Sequence, residues 1–249
     1  MYNFKNSKSN IINILKSTTN IEEKDSIPKN DNEFTYENGI MSWTSAIFID
    51  IKDSSNLFNT RDEHLARLIR AFTSELITIF QDSDNYRQIG IRGDCVYAIY
   101  STPYKNDIYD VFCIATKTNT FMRMFNEIIK GFDYNPIVAG IGLGCDKTLI
   151  VKAGRTGTGI NDKIWIGKSV IDACNLASTA NRNSYRPIAM SPLFYDNIIE
   201  KAKTEKQYSD DWFKPKKKNE YYDSHTIEFY HCDIIDTEFN TWINNGMRN

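Results

Sequence analysis

The stretch WTSAIFIDI, Trp43 to Ile51, constrains this chain more than any other. It is β-branched, aromatic and almost unbroken in its apolarity, so it reads as a strand. A strand with one wet face alternates apolar and polar residues. This one does not, which predicts a central strand covered on both faces. Near its end stands Asp50. Burying a lone carboxylate is very costly, so Asp50 needs a hydrogen-bond donor, a counter-ion or a metal.

A second carboxylate has the same difficulty. In IGIRGDCVYAIY, residues 89 to 100, two apolar runs flank Arg92-Gly93-Asp94 and predict a hairpin with Asp94 at its tip. Both aspartates fall at or near the ends of predicted central strands. A sheet that brings them side by side makes a two-carboxylate site. Oxygen ligands of this kind favour a hard cation, Mg²⁺ or Mn²⁺. Two such ions between carboxylates and a triphosphate are the usual apparatus of in-line phosphoryl transfer. Plainer readings stand beside this one. Gly-Asp is a common hairpin turn, and Asp94 then is only solvated. Asp50 then caps the next helix, although Asp53 and Ser54 are better placed to do so. Arg-Gly-Asp also spells a cell-adhesion tripeptide, a weak signal at three residues.

The rest of the chain supplies layers for the sheet. Residues 1 to 40 are polar and read as an extension and linker, with a short amphipathic helix around Ile11–Leu15 and turn chemistry from Asp25 to Asn38. Leu65, Leu68, Ile69, Phe72, Leu76 and Phe80 recur at helical spacing and predict a helix over 62–81. A second helix is expected over 107–130. Residues 136–144 and 147–154 read as two further strands, and 155–162 as a glycine-bearing loop. A helix over 168–180, a strand at 187–190 and a helix from Ser191 follow. Residues 204–224 read as an exposed basic loop. A strand over 227–235 and a helix holding Phe239, Trp242 and Ile243 end the chain. Residues 41 to 249 thus form one α+β domain with a strand-helix tail, its sheet mainly antiparallel with helices packed on it.

Composition excludes several classes. The net charge is −2, so nothing general favours nucleic acid or an anionic membrane as partner. The five cysteines are scattered without a C-x-x-C, and there are three histidines. That argues against a zinc site and a disulfide framework and for free thiols in a reducing cytoplasm. No apolar run is long enough to span a bilayer, and the N-terminus lacks a signal peptide's apolar centre. The expectation is a cytoplasmic protein without direct membrane insertion.

Four motifs in order resemble the class III nucleotidyl cyclases. They are Phe48-Ile49-Asp50-Ile51, the Gly93-Asp94 hairpin, Gly140-Ile141-Gly142-Leu143-Gly144 with Ala153-Gly154, and Trp165-Ile166-Gly167 opening a helix. The resemblance implies a ferredoxin-like palm, a head-to-head homodimer and two Mn²⁺ or Mg²⁺ ions held by Asp50, the Ile51 carbonyl and Asp94. Four family positions differ. The base-reading Lys is Gly90 here, the base-reading Asp is Ile164, and the ribose-binding Asn is Ile171. The transition-state Arg falls on Asn175.

The runs around 89–97 and 151–161 are similar to the pyrimidine cyclases of the bacterial Pycsar anti-phage system. This likeness extends over nearly the whole chain. It implies conversion of UTP, or alternatively CTP, to the 3′,5′-cyclic monophosphate, which then acts on a separate effector protein. Asn175 in place of a basic residue points to UTP. Catalytic roles fall to Asp50, Asp94 and Asn175. Substrate contacts fall to Phe48, Lys52, Ser54, Ser55, Arg92 and Arg155, with backbone N–H groups of 52–56 at a helix start offered to phosphates. Arg155, Lys168 and Arg182 are candidates for the missing cation. Each also reads as a surface charge, Phe48 as core, and Arg92 as a salt-bridge partner within the sheet. The rival functions are a catalytically inactive nucleotide sensor, a purine cyclase with a rewired pocket, and a dinucleotide cyclase on a related palm.

Overall fold

The structure is a computed structural model that describes residues 2–57, 59, 61–206, 210–219 and 226–248. Helix α1 (Phe4–Lys16) and strand β1 (Asn20–Glu23) precede β2 (Asn38–Ile51). A one-turn helix α2 (Ser54–Leu57) and the long α3 (Glu63–Phe80) follow. The hairpin β3 (Tyr86–Arg92) and β4 (Cys95–Ser101) leads into α4 (Lys105–Lys130). Then come β5 (Ala139–Gly154), β6 (Asn161–Ile166), α5 (Lys168–Ala177), β7 (Ile188–Met190) and α6 (Pro192–Lys206). The chain closes with β8 (Lys214–Asn219), β9 (Thr226–Cys232) and α7 (Thr237–Asn244).

The strands form one sheet in the order β3-β4-β2-β5-β7-β9-β8, with β1 beside β2 and β6 beside β5. Only the β1–β2 and β5–β7 pairs are parallel among those described. The architecture is therefore α+β with a mainly antiparallel sheet. Strand β2 is central, flanked by β4 and β5. Ala46, Ile47, Phe48 and Ile49 are all buried. Successive strand residues point to opposite faces, so both faces are covered, as the unbroken apolarity predicts.

One face carries α3 and α4. Leu68, Phe72, Leu76 and Phe80 repeat every fourth residue and join Ile47, Ile49, Phe112, Phe121 and Phe125 in the main core. Asp62 starts α3 by accepting from Leu65 N at 2.9 Å. The other face carries α5, and glycine sets its depth. Gly140, Gly142 and Gly144 share one face of β5. A Cβ at Gly142 would lie 2.0 Å from the Ala173 carbonyl oxygen, and one at Gly140 2.2 Å from that of Ala177. The helix backbone therefore rests directly on the strand. Its Ala173 and Ala177 close a small second core with Ala46, Phe48 and Ile99.

Several elements differ from expectation. Residues 139–154 are one long strand rather than two, because nothing between Gly144 and Lys147 forces a turn. Asp146 instead lies on the face that carries α5 and accepts from Lys168 N, at the start of that helix, at 2.7 Å. The glycine loop is shorter than 155–162, since β6 begins at Asn161. Trp165 and Ile166 end that strand, and Gly167 starts the helix. The basic stretch is not a loop throughout: α6 runs to Lys206, and 214–219 pair with β9 as an edge strand. Lysines suit an exposed edge, where they discourage pairing with other chains. The rest of 204–224 lies partly outside the described residues. The turn-rich segment 25–38 is irregular but not free. Its Ile27 and Phe34 are buried against Ile40 and Ile150, and Ile27 N donates to Ser101 Oγ at 3.0 Å. Helix α1 is longer than expected and buries none of its residues. Among the described residues, no helix is long and apolar enough to cross a membrane.

One buried group sets an acid limit. His231 is 3% exposed, and its Nδ1 accepts from Arg186 N at 3.0 Å. Burial, with Arg186, Lys216 and Lys214 nearby, lowers its pKa to about 4. The unfolded chain thus binds a proton that the folded one refuses. Stability falls as pH drops below about 6.5 and levels off near 4, by roughly 3 kcal/mol at most. Urea titrations of wild type and His231→Asn between pH 7 and 4 should show the variant losing that component of the acid limb.

Candidate active site

Asp50 stands between Cys95 of β4 and Gly140 of β5 in the ladder. Asp94 immediately precedes Cys95 in the β3–β4 turn, where Gly93 supplies a φ of 64°. The sheet therefore brings the two aspartates to adjoining places. The Asp50 carboxyl sits above its ordinary value. Burial pushes it up most, Arg182 pulls it down, and the Asp94 charge raises it further. Burial likewise pushes the Cys95 thiol up to about 12, with Cys174, Asp50 and Asp94 adding to it.

The donor set fits hard divalent ions. Among the described residues no group of three or more His, Cys, Asp or Glu side chains is arranged to hold a metal. Two carboxylates and the Ile51 carbonyl are too few for a closed protein cage. They suit Mg²⁺ or Mn²⁺, which take one or two carboxylates and complete their shell with water and phosphate oxygens.

Among the described residues, the other expected side chains, Arg182 apart, make no ion pair with Asp50 or Asp94. Lys52 N donates to Val138 O at 2.8 Å, so that N–H is already used. Ser54 and Ser55 lie on α2, a helix of four residues. The helix-start field expected there is correspondingly small, since the macrodipole needs several aligned turns. Arg92 is exposed beside the turn and makes no ion pair among the described residues. Arg155 is exposed just past Gly154. It stands at the end of the β5–β6 arm, which reaches β3 where Asp162 accepts from Gln88 Nε2 at 3.3 Å. Among the described residues Arg155 makes no ion pair with Asp50 or Asp94. Asn175 is exposed on α5, its carbonyl accepting from Ser178 Oγ and Thr179 Oγ1, both at 2.9 Å. Lys168 is exposed at the opposite end of that helix.

Among the described residues Arg182 is the cation that pairs with Asp50. Its Nη2 donates to Asp50 Oδ2 at 2.7 Å. The residue follows α5 in a loop, and nothing in local periodicity marks it.

Tyr97 is a further residue that sequence reasoning passed over. Its ring stacks on Phe48, with centroids 4.9 Å apart and planes 11° from parallel. It also lies across Gly90, where a Cβ would meet Tyr97 Cζ at 2.4 Å. Phe48 is buried under this pair. Gln88 Nε2 donates to Tyr97 Oη at 3.5 Å and to Asp162 Oδ2 at 3.3 Å, and Trp165 Nε1 donates to Gln88 Oε1. The available signal was Gly90 itself, since glycine inside a strand marks a close approach by something bulky. Ile164 and Ile171, which stand where the cyclase pattern has polar recognition residues, are 48% and 58% exposed.

No family model matches the chain. The adenylyl cyclase CyaB from P. aeruginosa superposes with a TM-score of 0.62 at 18% identity, covering 80% of this chain and 96% of that one. The palm, its helices and the placement of β2 and the hairpin are thus the class III nucleotidyl cyclase catalytic fold. A uridylate cyclase of Treponema porcinum is 42% identical over 250 residues, covering 99% of this chain and 82% of that protein. A uridylate cyclase of Gulbenkiania mobilis is 31% identical over 205 residues, covering 79% of each. The chain belongs to the family of these uridylate cyclases and is a nucleotidyl cyclase.

Proposed function

We propose that the protein converts UTP to 3′,5′-cyclic UMP and pyrophosphate, with CTP the alternative substrate. The observation that carries the pyrimidine reading is the Tyr97 ring over Gly90. It fills the place from which the cyclase pattern presents a base-reading lysine. A site narrowed by an aromatic ring favours a one-ring base over a two-ring base. The names of the two relatives favour uracil over cytosine.

Asp50, Asp94 and the Ile51 carbonyl would hold two divalent ions. Such ions, when bound, lower the pKa of the ribose 3′-hydroxyl and neutralise charge on the phosphates. The 3′-hydroxyl gives its proton to water, its oxygen attacks the α-phosphorus, and pyrophosphate leaves in line as the bond from the α-phosphorus to the bridging oxygen breaks. The chain's own task is to position these groups and keep the base in place. Exposed Ile91, Ile160, Ile164, Ile166 and Ile171 favour a covering partner, and a head-to-head homodimer is proposed. The cyclic product would act on a separate effector in anti-phage defence, and the enzyme would work in the cytoplasm.

The test is incubation of the purified protein with Mn²⁺ and each of ATP, GTP, CTP and UTP, with products identified by mass. Cyclic UMP as the main product supports the reading. Purine products of equal yield sink it. Tyr97→Ala should lower the UTP-over-ATP ratio in kcat/KM by about 10- to 100-fold, since a lost shape contact is worth roughly 1–3 kcal/mol.

A further inference from the structure

We propose that Arg182 is the cation that meets the departing phosphates, serving from the loop after α5 in place of an arginine at 175. This rests on the cyclase reading above. The family helix carries that charge on its own face, whereas here the face offers Asn175, neutral and exposed.

The loop holding Arg182 is built to aim it. Asn181 and Asn183 on either side adopt left-handed backbone, at φ 55° and 57°, which asparagine tolerates. Asn181 Nδ2 donates to Ala139 O at 3.0 Å, pinning the loop to the start of β5 beside Gly140, the ladder neighbour of Asp50. Arg182 Nη1 donates to Ala177 O at 3.0 Å and Ala180 O at 3.1 Å. Those carbonyls at the end of α5 also favour a positive charge. With Nη1 anchored, Nη2 faces the carboxylate. Guanidinium has five N–H donors, and these bonds leave donors for a phosphate oxygen.

The charge inventory points the same way. Two carboxylates, a triphosphate and two divalent ions sum to a net negative site, and charge grows on the leaving group as the bond breaks. A guanidinium held beforehand costs little reorganisation at that moment. Arg92, beside Asp94, is exposed and held by no such anchors among the described residues. Arg182 balances Asp50. Where divalent ions share that carboxylate, the remaining donors of Arg182 would face the phosphates, with Nη1 still held by the two carbonyls.

The experiment compares wild type, Arg182→Met, Arg182→Lys and Arg182→Gln. Gln removes the charge but retains donors for the carbonyls, so it serves if Met does not fold. Cyclase kinetics are measured with Mn²⁺–UTP. Binding of Mn²⁺ alone, and of tripolyphosphate in the presence of Mn²⁺, is measured by calorimetry. The expected result in Met or Gln is a kcat about 100-fold lower and about 10-fold weaker tripolyphosphate binding. Mn²⁺ affinity should be undiminished, and Lys should restore part of the loss. Unchanged kcat and tripolyphosphate affinity overturn the proposal. So does a parallel loss of Mn²⁺ binding, which would make Arg182 a mere support for Asp50. A wild type without cyclase activity on any nucleotide would defeat the cyclase reading instead, and tripolyphosphate affinity would still decide the role of Arg182.

Discussion

Asp50→Asn and Asp94→Asn each lower cyclic nucleotide formation by about 10³-fold or more, roughly 4 kcal/mol of transition-state stabilisation. Each substitution preserves shape and removes one of the two carboxylates that the sheet sets side by side. The fold should survive. Asp50 is partly buried, and burial with the neighbouring Asp94 holds its carboxyl above the ordinary value despite Arg182. The folded protein therefore binds the Asp50 proton more tightly than the unfolded chain does. Stability from this group is full below the unfolded pKa and is lost as pH rises through the folded one. Neutral asparagine mimics the protonated form, so Asp50→Asn should not lower the melting temperature at pH 7 in metal-free buffer. Product mass and a thermal melt on the same sample separate lost chemistry from lost structure. Undiminished product in either variant, with the fold intact, would remove the two-carboxylate metal site.

The second large effect is structural. Gly142→Val should cost about 3 kcal/mol or more and lower the melting temperature by roughly 10 °C, at ~2–4 °C per kcal/mol for a chain of this size. The added Cβ would stand 2.0 Å from Ala173 O and 2.3 Å from Ala177 N. These are backbone atoms of a helix, which cannot rotate aside as a side chain does. Helix α5 must lift from β5, and the loop carrying Arg182 lifts with it, so activity should fall too. Gly157→Asn is the control. Its φ of 78° suits asparagine and nothing lies within 4 Å of a Cβ there, so its melt should stay within about 2 °C of wild type. Equal melts for Gly142→Val and Gly157→Asn would refute the close helix–strand contact.

Much of this fold was legible along the chain. Helix α3 shows in its four-residue spacing, and β2 in its unbroken apolarity. Both patterns are local, set by the pitch of a helix or the pleat of a strand. The misread segments are those where one local pattern serves two structures. The glycines of β5 read as residues of a short strand, 136–144, but lie in a longer one and make a seat for a helix. The lysines of β8 looked like a solvated loop but line a sheet edge. The Tyr97 contact was half visible, as a glycine inside a strand with no stated occupant.

By itself the sequence determined that a doubly covered central strand exists, that it ends in an aspartate needing a partner, and that a hairpin presents a second one. Those conclusions follow from the cost of burying charge and from short-range periodicity. Only the tertiary structure decided which cation faces Asp50. Arg182 lies 132 residues away in sequence. Its approach depends on the register of β2 with β5 and on three missing side chains that let α5 sink onto the sheet. Long-range register of that kind leaves no periodic trace in the neighbourhood of either residue.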